Sequence, residues 1–170
     1  ALRQLASDGL VTEVPHKGVF VKKLTPKDIE DIFDVRLLLE SYAIDRIPQY
    51  LNEENRKALQ TCLDELTKTH RENNLNLYIE HDTQLHNLFI DLCGNNLIKS
   101  TYEKVHSMIM QFRVYSLTTR QRFDESIDEH RDIVNFLFEG NPKAANKVNQ
   151  IHLELAKEKI QEYIKGRDTD

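Results

Sequence analysis

Residues 126–152 read SIDEHRDIVNFLFEGNPKAANKVNQIH, which is the pattern of two helices joined by a tight turn. Ser126 and Glu129 have the spacing of a capping box, which predicts that a helix begins at this point. Gly140 is typical of a helix end, and Pro142 is typical of the first turn of a following helix. Apolar residues recur every three or four positions in both segments, as they do on the buried face of a helix. The stretch therefore predicts a pair of neighbouring antiparallel helices.

The same start and stop signals recur between residues 25 and 170. They predict six helices, with starts near Thr25, Asn52, Asn74, Asn96, Ser126 and Pro142. The fourth of these is predicted over residues 96–117. Residues 11–14 and 19–21 are β-prone and flank a Pro-His-Lys-Gly turn, which predicts a β-hairpin. The predicted fold class is all-α: an antiparallel bundle of about six helices, preceded by a helix end and the hairpin.

Composition narrows the class of protein. The 170 residues carry a formal net charge of −5, so any contact with DNA must be made by a local patch rather than by a basic body. No apolar run approaches the ~18 residues of a membrane span, and we expect no membrane insertion. Cys62 and Cys93 are too few for a disulfide framework and fit a reducing compartment. We therefore expect a cytoplasmic globular protein.

Four polar residues fall on the apolar stripes of three predicted helices. Asp82 and His86 lie one turn apart on the third helix, while His130 and His152 lie at the centres of the stripes of the fifth and sixth. Burying such a group unpaired costs roughly 1–3 kcal/mol, and more for a carboxylate. Imidazole nitrogens and a carboxylate oxygen are ligands of Zn²⁺ and related divalent ions. The pattern therefore predicts a metal site, with zinc, nickel and manganese as the candidate ions.

A second anomaly lies on the first helix, where Arg36 and Glu40 sit in the middle of the apolar stripe. One interpretation is an internal ion pair between residues four apart, which fastens the bundle. The other is that Arg36 binds an anionic ligand near the metal, because a guanidinium holds a carboxylate through two hydrogen bonds. Periodicity alone leaves both open. Arg113 lies off the stripe of the fourth helix, and we expect it at the surface or at the rim of a cavity.

Several segments resemble a known family of regulators. The sequences ALRQLASDGLV at 1–11 and PHKGVFV at 15–21 resemble the end of a GntR-type winged helix-turn-helix. The remainder resembles the FCD effector domain of the FadR subfamily. The matching segments are DVRLLLE at 34–40, DTQLH at 82–86, EHRDI at 129–133, GNPKAA at 140–145, and His152. The most specific part is the Asp-x-x-x-His pair followed by two later histidines.

The resemblance implies two regions and a set of roles. Residues 1–24 would be the carboxy-terminal part of an incomplete DNA-binding head, and residues 25–170 the effector domain. The family implies a dimeric, cytoplasmic transcription factor whose operator binding is controlled allosterically by a small organic acid. It also implies these site residues: Asp82, His86, His130 and His152 as metal ligands, Arg36 on the effector, and Lys17 and Gly18 at a wing tip near DNA.

The resemblance places the first residues inside the recognition helix of the head. We therefore expect the chain alone to lack sequence-specific operator binding, because base contacts rather than phosphate contacts specify a site.

Two alternatives stay open. An Asp/His₃ ion with free positions could activate water in a metal-dependent hydrolase. Against an enzyme, we find no general base beyond the ligands, no glycine-rich phosphate loop and no HExxH motif. The second alternative is a metal-free domain whose histidines bind the effector directly.

Overall fold

The computed structural model describes residues 11–14, 18–21 and 24–167. The amino-terminal helix end predicted within residues 1–10 lies outside the described residues, as does Lys17. The predicted hairpin is present. Strand β1 (Val11–Val14) pairs antiparallel with β2 (Gly18–Val21), with Val14 opposite Gly18. Gly18 has φ +104°, a backbone conformation that favours glycine, at the point where the chain enters β2.

Helices make up the remainder of the described chain, so the predicted all-α bundle is confirmed. They are α1 (Pro26–Tyr50), α2 (Glu53–Arg71), α3 (Leu75–Asp91), α4 (Asn96–Ile109), α5 (Arg113–Ser116), α6 (Arg120–Phe138) and α7 (Pro142–Arg167). None of these helices is both long enough and apolar enough to cross a membrane.

The predicted helix starts are confirmed at most positions. Thr25 caps α1 in a reciprocal capping box with Asp28. The side chains of Asn52 and Asn74 accept backbone N–H bonds at the starts of α2 and α3, and Asn141 does the same for α7. Each cap satisfies a backbone donor that the first helical turn leaves without a partner.

Two boundaries differ from the prediction. Helix α6 begins at Arg120 with Thr119 as its cap, so the predicted capping box at Ser126 and Glu129 is wrong. Ser126 instead lies buried inside α6. The predicted fourth helix is broken by a 3₁₀ turn over Met110–Phe112, which separates α4 from α5. Because a 3₁₀ turn advances about 120° per residue against about 100° in an α-helix, the residues that follow it face a different direction.

The apolar core of the described residues consists of three clusters. One cluster is built on α2, α3, α6 and the carboxy-terminal half of α1, and includes Leu59 and Val134. A second is built on the amino-terminal half of α1, the end of α4 and α7, and includes Ile29 and Ile160. A third cluster draws on α1, α3 and α4 and includes Leu39, Ile90 and Tyr102. Along α1, Arg36 and Glu40 lie between residues of the second cluster and residues of the first.

Candidate metal centre

The four candidate ligands come together in the structure. Asp82 and His86 project from α3, His130 from α6 and His152 from α7, and all four are buried. One ligand atom from each residue can be chosen such that all four atoms lie within 4.8 Å of one another. Helical periodicity explains the arrangement, since each residue occupies the centre of an inward stripe.

The separations fit a divalent cation. The Nε2 atom of His130 lies 3.1 Å from Asp82 Oδ1 and 3.2 Å from His86 Nε2. His86 Nε2 lies 3.8 Å from Asp82 Oδ1. Metal–ligand bonds of about 2.1 Å place two ligand atoms about 3.0 Å apart at a right angle and about 4.2 Å apart on opposite sides. The donor atoms of Asp82, His86 and His130 therefore have the spacing of neighbouring ligands of a first-row metal, and an atom of His152 lies within 4.8 Å of them.

The outward nitrogen of each imidazole already has a partner. Nδ1 of His86 lies 3.0 Å from Glu40 Oε2, and Nδ1 of His152 lies 2.7 Å from Glu129 Oε2. The contact with Glu40 makes Nδ1 of His86 the donor and leaves its Nε2 as an acceptor. The shorter contact of His152 Nδ1, with Glu129, favours the same tautomer, although Arg122 Nη2 also lies 3.2 Å from that nitrogen. A carboxylate behind a histidine is the usual outer support of a metal ligand, because it orients the ring and raises its basicity.

The third imidazole is supported by hydroxyl groups. Nδ1 of His130 lies 3.5 Å from both Tyr78 Oη and Ser126 Oγ, and the Tyr78 hydroxyl donates to Ser126 Oγ at 2.9 Å. Ser126, expected to cap a helix, thus belongs to the outer shell of the cluster.

Burial sets the protonation state of the three rings. Loss of hydration lowers the pKa of His86 and places the pKa values of His130 and His152 well below the ordinary histidine range. The imidazoles are therefore neutral at pH 7, the state that a metal ligand requires.

Three buried arginines surround the cluster. Arg36 Nε donates to Glu40 Oε1 at 2.6 Å, so the internal pair on α1 is present. Arg122 donates to both carboxylate oxygens of Glu129, at 3.0 and 2.6 Å. Arg113 pairs with Asp82 Oδ2. Each arginine thus holds a carboxylate that is itself a candidate ligand or supports a candidate ligand.

Of the two positions expected for Arg113, the surface is wrong, whereas its place beside a cavity is confirmed. Its residue exposure is 6%, and burial lowers its pKa to about 9, which leaves it protonated at neutral pH. The 3₁₀ turn rotates α5 relative to α4 and directs Arg113 inward, where Nη1 lies 3.3 Å from His106 Nε2. Sequence analysis also missed Arg122 and Glu129, although their seven-residue spacing, two helical turns, places both on one face.

A small cavity adjoins the cluster. Its wall includes Arg36, Asp82, Arg113, Arg122 and His152. The space open to the centre of a water-sized molecule is about 10 Å³, which is room for about one water. Gly18 is the remaining predicted site residue among the described residues. It is exposed in the hairpin and is not one of the residues that line this cavity.

Comparisons with known proteins agree with this architecture. Residues 31–155 match the FCD domain. The chain is 28% identical over 148 residues to the HTH-type transcriptional regulator YdhC of Bacillus subtilis, an alignment that covers 86% of this chain. The chain spans 66% of the length of YdhC, slightly less than two thirds.

Two solved structures share the fold. McbR/YncC of E. coli superposes with a TM-score of 0.85 at 12% identity, covering 95% of this chain and 82% of that chain. The metal-free FCD domain of TM0439 superposes with a TM-score of 0.71 at 22% identity, covering 83% of this chain and 96% of that chain. At these identities the likeness concerns the fold alone.

Proposed function

Since the chain belongs to the FCD domain family of GntR-type transcriptional regulators, we propose that it is a metal-dependent sensing domain for a small organic carboxylate. Its relatives are regulators rather than enzymes, so the hydrolase alternative has no support among them. The metal, the effector and the allosteric control are the parts that we propose for this chain.

One observation carries the metal proposal: three inward imidazole nitrogens meet one carboxylate oxygen, and every ring is supported from behind. Zinc, nickel and manganese are the candidate ions, because the ligand types suit all three. When bound, the ion supplies Lewis-acid positions that accept carboxylate oxygens. The residues Asp82, His86, His130 and His152 would hold it, while Glu40 and Glu129 keep two of the rings in the required tautomer.

Arg36 is proposed to bind the effector. Its Nε atom is engaged by Glu40, but its Nη2 atom is buried and has no hydrogen-bond partner among the described residues. A buried unpaired guanidinium N–H costs free energy that a bound carboxylate would recover. The two interpretations of Arg36 are thus compatible, since one nitrogen fastens α1 and another faces the cavity.

The proposed output is operator binding by the intact, dimeric regulator in the cytoplasm, with Lys17 and Gly18 near DNA as wing residues. Helix α1 begins a few residues after the hairpin and carries Arg36. Helix α7 carries His152, and its Gln161 side chain donates to the carbonyl of Pro26 at 2.9 Å. A displacement at the cavity would therefore reach the start of α1 through both helices and couple the two sites.

Elemental analysis of the purified chain tests the metal proposal. We expect about one bound transition-metal ion per chain, lost in the His130→Ala, His152→Ala double variant. The matched control is His81→Ala, which removes a histidine of α3 whose Nδ1 lies 3.1 Å from Gln84 Oε1. Metal retained by the double variant, or absent from the unaltered chain after zinc, nickel and manganese loading, would refute the site. Carboxylate binding by a chain free of metal would favour the direct-histidine alternative.

A further inference from the structure

The fixed charges around the cluster balance when no metal is bound. They form three pairs: Arg36 with Glu40, Arg113 with Asp82, and Arg122 with Glu129. The three imidazoles are neutral as metal ligands. A divalent ion therefore adds two positive charges that no further buried carboxylate among the described residues offsets. Glu125 lies 3.8 Å from Arg122 but is 40% exposed, so water screens most of its charge.

Such an excess is costly in a buried site. Charges removed from water need a partner of opposite sign, because the interior solvates them poorly. A monocarboxylate would compensate half of the added charge, whereas a ligand with two ionised acid groups would compensate all of it. The metal-loaded centre is thus electrostatically matched to a dianion.

Two unpartnered donors point to where the second acid group would lie. Arg36 Nη2 and Arg122 Nε are both buried without a hydrogen-bond partner among the described residues. The two arginines belong to different helices, α1 and α6, and both line the cavity beside Asp82 and His152. Guanidinium groups favour carboxylates over neutral acceptors, because the hydrogen bond is charge-assisted.

We propose that the effector is a dicarboxylate, and that Arg122 is a second anion-binding arginine beside Arg36. The inference rests on the proposed function, since one acid group occupies the open positions of the bound metal. The other acid group lies between the two guanidinium groups. Because the cavity has room for about one water, binding requires residues of the cavity wall to move apart.

Calorimetric titration of the zinc-loaded chain tests the proposal with ligand pairs of equal carbon number: malonate against propionate, succinate against butyrate, and glutarate against valerate. We expect one dicarboxylate to bind at least about tenfold more tightly than its partner, the size expected of an added charge-assisted contact. Arg122→Gln should reduce that ratio to less than about threefold. The matched control is Arg131→Gln, which alters an exposed arginine of α6 paired with Asp128. Zinc content is measured for every variant, because Arg122 also contacts Glu129.

The outcomes are distinct. Equal affinities within all three pairs on a chain that holds zinc and binds carboxylates would overturn the inference and leave the proposed function standing. An unchanged ratio in Arg122→Gln with full zinc content would overturn the role of Arg122. Tighter binding of inorganic phosphate than of every dicarboxylate would overturn the dicarboxylate class. Failure to bind zinc, nickel or manganese would overturn the proposed function itself.

Discussion

The Glu129→Gln variant tests whether Glu129 supports the candidate metal ligand His152 or contributes only to packing. Glu129 accepts from His152 Nδ1 at 2.7 Å and from two nitrogens of Arg122, and its side chain is 13% exposed. The glutamine keeps one carbonyl oxygen but loses the negative charge that raises the basicity of the ring. Changes to an outer partner of a metal-bound histidine cost about 10–100-fold in metal affinity, which corresponds to about 1.4–2.8 kcal/mol.

The assay is zinc competition against a chromogenic chelator, together with urea unfolding of the metal-free chain. The matched control is Glu125→Gln, which removes a carboxylate from the same helix at 3.8 Å from Arg122. We expect Glu129→Gln to weaken zinc binding by at least about tenfold and Glu125→Gln to change it by less than about twofold. If Glu129→Gln lowers the free energy of unfolding but leaves the zinc affinity unchanged, the interpretation of Glu129 as an outer support of the metal is refuted.

Two further outcomes are expected. Burial lowers the pKa of His106 from 6.5 to about 4. Between pH 4 and 6.5 this histidine is therefore protonated mainly in the unfolded chain, and the metal-free protein should lose stability as pH falls below about 6.5. The loss should be up to about 1.4 kcal/mol per pH unit for each such histidine, and urea unfolding that shows no dependence on pH in this range would contradict it. Gly94 and Gly140 have φ +69° and +72°, so alanine at either should cost about 1 kcal/mol of unfolding free energy. Gly94→Ala should cost more, because its Cβ would lie 2.9 Å from Tyr50 Cζ while the Gly140 position is open, and equal melting temperatures for the two variants would count against this.

The candidate ligands were accessible to sequence analysis because each lies on a regular helix. Asp82, His86, His130 and His152 occupy inward stripes, and periodicity places such residues toward the bundle axis without knowledge of the loops. The same reasoning identified Arg36 and left its two roles open. The structure contains the internal pair with Glu40, and the binding of an effector by Arg36 stays a proposal.

The residues that sequence analysis missed follow breaks in that regularity. Arg113 comes after the 3₁₀ turn, and a pattern extended from α4 assigns it to the wrong side. Arg122 falls ahead of the helix start predicted at Ser126, so it was never placed on a helical face. Glu129 was assigned to a capping box, whereas Thr119 is the cap. Thr119 and Ser126 lie within two helical turns of each other, and either could cap a helix by its local sequence. Tertiary packing decides which of them does so.

The division of the core into three apolar clusters bears on how the molecule unfolds. The clusters that contain Leu59 and Ile160 share no apolar residue, while Val105 packs against both the second cluster and the third. Because separate packing units can open separately, amide hydrogens near Ile160 should exchange independently of those near Leu59 when the ligand atoms are unligated. An ion held by three helices would link these two clusters, and hydrogen exchange should then report one opening unit instead of two.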